Sequence, residues 1–122
     1  GGLGFGLRQW PGSRIISGFD WLSGELGLPQ KCQAAQLVLT GEGRLDATSL
    51  SGKGVGSLIA LAAGKPVWVL CGQADEALTL PEGVRVFSLE RSAGSAESAM
   101  ANPEDALDLL MREVILEIAR LF

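Results

Sequence analysis

Residues 37–72 read LVLTGEGRLDATSLSGKGVGSLIALAAGKPVWVLCG, and the way this stretch alternates between apolar runs and glycine-bearing polar segments decides the fold. Leu37, Val38 and Leu39 before Thr40 form a short apolar run, which predicts a buried strand. Gly41-Glu42-Gly43-Arg44-Leu45-Asp46 then predicts a loop rich in reactive groups. Ser51 stands where it could cap a helix carrying Val55, Leu58, Ile59 and Ala62, and Gly64, Lys65 and Pro66 are mutually reinforcing stop signals. Val67 to Cys71 follows as a continuous apolar run ended by Gly72 and Gln73, the pattern of a strand covered on both faces. Strand, helix, strand over short connections is the signature of a parallel sheet with a right-handed crossover, so the expected fold class is α/β.

Outward from this core, Val84, Val86 and Phe87 predict a third, shorter strand. Asn102-Pro103-Glu104-Asp105 opens the last helix with a capping residue, a proline at the first helical position and two acids near the positive end of the dipole. Leu107, Leu110, Val114 and Ile118 then mark one face of it, while Glu90 to Ser98 is small and polar enough to predict a mobile loop. Toward the start, Ser17 is a plausible cap for a short amphipathic helix with Phe19, Leu22 and Leu26, closed by Gly27. Gly1 to Gly6 is too glycine-dense for a helix interior and predicts a loop opening a short helix at Leu7 to Trp10.

Composition narrows the function. The 122 residues suffice for about one core, with 47% hydrophobic and 20% charged residues, the balance of a folded domain. A net charge of -4 without a basic block argues against nucleic acid as a partner. There is no histidine, which removes Ser-His-Asp hydrolysis and HExxH zinc chemistry. Cys32 and Cys71 are too few and too far apart for a disulfide framework or a four-ligand zinc site, and Cys71 reads as a small buried residue. No apolar stretch approaches the roughly 20 residues that span a bilayer, so the expectation is a cytoplasmic protein with no membrane partner. The opening on Gly1 without a methionine fits an expectation that an upstream portion belongs to the same protein.

In open parallel sheets ligands bind beyond the carboxyl ends of the strands, here the stretches 40–46, 72–75 and 88–91. Neither standard nucleotide motif is present: Gly41, Gly43 and Asp46 give GxGxxD, and a P-loop would need other residues than Ala47 and Gly54. What remains still suits phosphoryl transfer, a reaction of positioning and charge neutralisation. Gly41, Gly43, Gly52 and Gly54 could bring backbone N–H groups to oxygen anions, and Lys53 or Arg44 could offset negative charge. Glu42 or Asp46 could hold magnesium or accept a proton. Each has a structural alternative: a cap or loop carboxylate for Asp46 and Glu42, an exposed charge for Lys53, an acid partner for Arg44, and capping for Ser49 and Ser51. Trp68, inside an apolar strand, reads as core.

Leu37 to Ser49, LVLTGEGRLDATS, resembles the TGEGR(L/I)D segment of the bacterial type I glycerate kinases. The resemblance continues through Gly52-Lys53, through GKPVWVLCG at Gly64 to Gly72, and back to the GGLG opening, in the family's order and spacing. It implies transfer of the γ-phosphoryl group of ATP to D-glycerate with magnesium, giving 2-phosphoglycerate. It implies a two-domain α/β fold with the site in the cleft, one domain being Rossmann-like or flavodoxin-like and assembled from both chain ends. This chain would supply about the final third: residues 1–36 as the end of the middle domain and 37–122 as the carboxy-terminal half of the Rossmann-like domain. Carried over by position, Asp46, Lys53 and Arg44 are the catalytic candidates, Gly41, Glu42, Gly43, Ser49 and Gly52 bind the nucleotide, and Asp46 with Glu42 holds the metal. Many relatives have histidine before the Gly-Lys pair and proline two places after the lysine, where this sequence has Ser51 and Val55. A truncated, non-catalytic fragment and a small ligand-binding α/β module are the competing expectations. Sheet surfaces left uncovered in a half-domain would favour aggregation or a homo-oligomer.

Overall fold

A computed structural model describes residues 2–51 and 54–122. In chain order the elements are α1 (Leu3–Arg8), α2 (Gly18–Glu25), α3 (Leu28–Ala34), β1 (Val38–Leu45), α4 (Ala47–Leu50), α5 (Gly54–Leu61), β2 (Val67–Ala74), β3 (Val84–Ser88), α6 (Leu89–Ala93), α7 (Ala96–Ala101) and α8 (Pro103–Leu121). The three strands form one all-parallel sheet in the order β1-β2-β3, with Val38 opposite Val67 and Val67 opposite Val84. The chain thus has the expected α/β class, a Rossmann-like half-domain.

The central strand β2 shows why its sequence is continuously apolar. Its odd-numbered side chains Val69 and Cys71 pack with Leu45 and Val55 beneath α5. Trp68 points the other way, against Phe87 of β3 and Leu110 and Val114 of α8. Burying both faces removes every side chain of Val67, Trp68 and Val69 from water, at roughly 25 cal/mol of stabilisation per Å² of apolar surface. Arg85 closes the rim of this layer: its guanidinium lies 5.1 Å from the Trp68 ring centroid and bonds Glu117 of α8 at 2.7 Å.

Several expectations are corrected. The Gly41–Asp46 segment is not a loop, because β1 runs on to Leu45 and pairs Arg44 with Gln73 and Leu45 with Ala74. Backbone pairing to β2 needs no particular side chain, so it overrides the low strand propensity of glycine and glutamate. Nor is β1 a buried strand, since among the described residues it pairs with β2 alone and Leu39 is 48% exposed. Glu90–Ser98 is not a loop: Ser88 caps α6 by accepting from Arg91 N–H, and Ser95 caps α7 by accepting from Ser98 N–H. Gly94, with φ of +85°, makes the turn between the two helices.

Ser51 follows α4, where its hydroxyl donates to Thr48 O, and its expected role as cap of the next helix bears on residues 52 and 53, which lie outside the described residues. Asn102 precedes Pro103 at the start of α8 but makes no side-chain capping bond. The buried face of α8 is Ala106, Leu110 and Val114, spaced by four, which leaves Leu107 50% exposed. Gly4 and Gly6 lie inside α1, where they weaken the helix without forbidding it, and Leu7 to Trp10 overlaps only its end. Ser17 caps α2 as expected, but Leu22 and Leu26 are exposed and the residue it buries is Ser23. Of the first three helices, α3 joins the buried core through Cys32, against Ala62 and Val67. Both cysteines are free and buried.

Candidate active site

The sheet delivers its chemistry at one edge. β1 ends at Leu45 and β2 at Ala74, so Asp46 and Asp75 leave the sheet side by side, tied by the bond from Asp75 N–H to Leu45 O at 2.9 Å. Beyond Ser88, at the end of β3, α6 begins.

Asp46 is first of all a helix cap. Its Oδ1 accepts from Ser49 N–H at 3.0 Å and from the Thr48 hydroxyl. Ser49 Oγ accepts from Asp46 N–H at 3.3 Å, completing a capping box for α4. The Ser49 proton lies between Arg44 O at 3.1 Å and Asp46 Oδ1 at 3.3 Å, so Ser49 pins the end of β1 to the start of α4. The Thr48 hydroxyl and then the Ser49 N–H hold the Asp46 carboxyl below the usual carboxylate range. A carboxylate ionised at all physiological pH values follows, suited to cation contact and poorly suited to holding a proton.

The remaining sequence candidates are dispersed along β1. Glu42 is exposed and its Oε1 accepts from Gly43 N–H at 3.0 Å. Arg44 is exposed and makes no ion pair among the described residues. At strand spacing, Glu42 and Asp46 stand about 13 Å apart along the chain, so their carboxylates do not form a close pair. Among the described residues no three acidic or cysteine side chains converge as a metal cage. A nucleotide-bound magnesium asks less, one or two carboxylates beside phosphate and water, and the ionised Asp46 meets that requirement. Gly52 and Lys53 lie outside the described residues.

Gly43 and Gly72 approach backbone to backbone: a Cβ on Gly72 would stand 2.7 Å from Gly43 O. Together with Gln73 the two glycines line a cleft of about 520 Å³ at the carboxyl edge, bordered also by Leu89, Ala96, Ala99, Met100 and Pro103. Gly41 and Glu42 border a separate, shallower hollow with Leu70, Leu107 and Leu110. A third hollow, at the other side of the β2 terminus, mixes Arg85 and Arg91 with Asp75, Glu76 and Glu113. The structure therefore brings Gly43 to the cleft and Asp46 with Ser49 to one cap, but it does not gather Glu42, Arg44 and Asp46 into a single cluster. Gln73 and Arg91 stood in the stretches flagged after β2 and β3, whereas nothing in sequence pointed to Met100 or Ala96, which reach the cleft only through the turn at Gly94.

A parallel α/β sheet whose carboxyl edge carries glycine backbone, an ionised carboxylate and a roomy cleft is built to take a small molecule. The sequence profile of the glycerate kinase family matches residues 1–119. A protein named glycerate kinase from Neisseria meningitidis is 34% identical over 106 residues, covering 84% of this chain and 29% of the relative. One named glycerate 2-kinase from Escherichia coli is 30% identical over 125 residues, covering 98% and 32%. An uncharacterized protein of Synechocystis is 36% identical over 110 residues, covering 88% and 30%. The chain belongs to the glycerate kinase family. It spans about three-tenths of the length of the relatives it matches.

Proposed function

We propose that the protein containing these residues transfers the γ-phosphoryl group of ATP to a hydroxyl of D-glycerate, giving 2-phosphoglycerate in the cytoplasm. The observation that carries the reading is that TGEGRLD, in a chain matching this family over residues 1–119, is the strand that takes Gly43 and Asp46 to the carboxyl edge of a parallel sheet. On this reading residues 37–122 are half of a Rossmann-like domain and residues 1–36 the end of a second domain, with the remaining walls of the site contributed by other parts of the protein.

Phosphoryl transfer needs the acceptor hydroxyl held in line with the phosphorus and the spreading charge neutralised. Asp46, fixed by its capping box, orients the acceptor hydroxyl or the magnesium of the nucleotide. Arg44 and Lys53 supply countercharge to phosphate or to the glycerate carboxylate, and the backbone of Gly41, Gly43 and Gly52 comes close to phosphate oxygens. Magnesium, when bound with ATP, offsets part of the phosphate charge.

The test is ADP release by the protein at the full length its gene encodes, with D-glycerate, ATP and magnesium, for wild type and Asp46→Asn. Asparagine caps helices nearly as well as aspartate, so it removes the charge and keeps the cap. A fall in kcat of at least about a hundredfold with unchanged melting temperature supports a chemical role for Asp46. Unchanged kcat reduces Asp46 to a cap, and a folded wild-type protein without glycerate-dependent turnover overturns the kinase reading in favour of a binding module.

A further inference from the structure

We infer that Thr48 is a positioning residue for Asp46: together with the Ser49 N–H, its hydroxyl occupies Oδ1 of the carboxylate and leaves Oδ2 to meet the electropositive partner, an inference that rests on the kinase reading. An aspartate carboxylate offers about four lone-pair directions, two on each oxygen. On Asp46 both directions of Oδ1 are taken, by the Thr48 hydroxyl and by the Ser49 N–H at 3.0 Å. The Ser49 hydroxyl has one proton, and Arg44 O at 3.1 Å is nearer to it than Oδ1 at 3.3 Å. Among the described residues no donor reaches Oδ2. A cation or a hydroxyl proton therefore meets Asp46 through one oxygen, and bidentate contact is closed off.

The second donor matters because the terminal torsion of aspartate is broad and has no deep staggered wells. The Ser49 N–H alone fixes where Oδ1 sits but lets the carboxylate plane swing about that bond. The Thr48 hydroxyl reaches Oδ1 from another direction and fixes the plane, and with it the direction in which Oδ2 points. In-line transfer is sensitive to such directions. Neighbouring carboxylates lack this second donor among the described residues: Glu42 Oε1 accepts from Gly43 N–H, and Asp75 Oδ1 from Ala77 N–H. The donors to Asp46 lie two and three residues along the chain, so the arrangement does not depend on how the rest of the protein covers the sheet. Thr48 also differs from Ser49 in standing outside the capping box, so its hydroxyl can be removed while the cap of α4 stays intact.

The experiment uses the protein at the full length its gene encodes and compares wild type with Thr48→Val, Thr48→Ser, Asp46→Asn and the double variant Asp46→Asn with Thr48→Val. Thr48 is exposed, and valine keeps the shape and helix propensity of threonine, so the melting temperature should stay within about 2 °C. In Thr48→Val kcat should fall at least about tenfold with KM for ATP and for D-glycerate within about twofold, and Thr48→Ser should return kcat to within about twofold of wild type. Because Thr48 acts through Asp46, its removal should change kcat less than about twofold once Asp46 is asparagine. Ligand-free crystals give a readout independent of turnover: in Thr48→Val the Asp46 carboxylate plane should turn by more than about 30° or spread over two orientations, and in Thr48→Ser it should match wild type. Unchanged kcat in Thr48→Val beside a large loss in Asp46→Asn, additive losses in the double variant, or an unmoved carboxylate plane overturns the positioning role and leaves the kinase reading standing. A folded wild-type protein without glycerate-dependent turnover sinks both.

Discussion

Gly72 and Gly56 are the residues at which a single methyl group decides the local structure. A Cβ on Gly72 would stand 2.7 Å from Gly43 O, and one on Gly56 would stand 2.5 Å from Leu50 O, in both cases against backbone that cannot rotate away. Gly72→Ala and Gly56→Ala should each cost about 1–3 kcal/mol, measured as the loss in urea unfolding free energy. Gly43→Ala is the control, since no atom lies within 4 Å of its Cβ position, and it should leave the unfolding midpoint nearly unchanged. Cys71 makes a different prediction. Burial pushes its thiol up to about 11, and its Sγ lies 3.6 Å from Phe87 O, so native protein at pH 8 should alkylate at Cys71 only on unfolding. Rapid labelling under native conditions, read by peptide mass, would show that the β2–β3 layer opens far more readily than its packing implies.

Among the elements, α8 is held by two kinds of contact whose costs should separate. Leu110 and Val114 are fully buried against Trp68 and Phe87, so Leu110→Ala should lose about 2–5 kcal/mol, while Leu107→Ala, half-exposed on the same helix, should change stability little. The polar tie is Glu117 between Arg85 at 2.7 Å and Arg120 at 2.5 Å. The Arg85 hydrogen bond, followed by that of Arg120, holds the Glu117 carboxyl below its usual range. A depressed folded value means that this contribution is present above the ordinary glutamate pKa near 4.3 and is lost as pH falls through the folded value. The difference in unfolding midpoint between wild type and Glu117→Gln should therefore be small at pH 7, as for any exposed pair, and vanish near pH 2. A difference persisting undiminished in acid would assign the effect to packing of the side chain stem. At β3, Ser88→Ala removes the cap of α6 and should cost about 1 kcal/mol.

At the scale of the whole molecule, the apolar surface is distributed unevenly. Leu3, Phe5, Trp10, Ile15, Ile16 and Trp21 are exposed before the sheet begins, and Leu39 is exposed on the open side of β1. Produced alone, the chain should self-associate or bind a hydrophobic dye, checked by light scattering with size-exclusion chromatography; a monodisperse monomer without dye binding would show that these side chains find cover within the chain. Local composition was enough to read the α/β class, the strands at Val67 and Val84, the stop at Gly64-Lys65-Pro66 and the buried Trp68, because continuous apolar runs and backbone-limited residues act over a few positions. The TGEGRLD segment was legible as a likeness, and its family followed from the letters alone. Tertiary structure alone made that segment a strand, since a parallel neighbour satisfies backbone groups whatever side chains they carry. The cap at Asp46 was legible as an alternative, because a capping box reaches only three residues along the chain, but tertiary structure also brought Met100 to the cleft beside Gly43 and Gly72. Those outcomes depend on pairing and packing between residues distant in the chain, which no local pattern of residue types encodes.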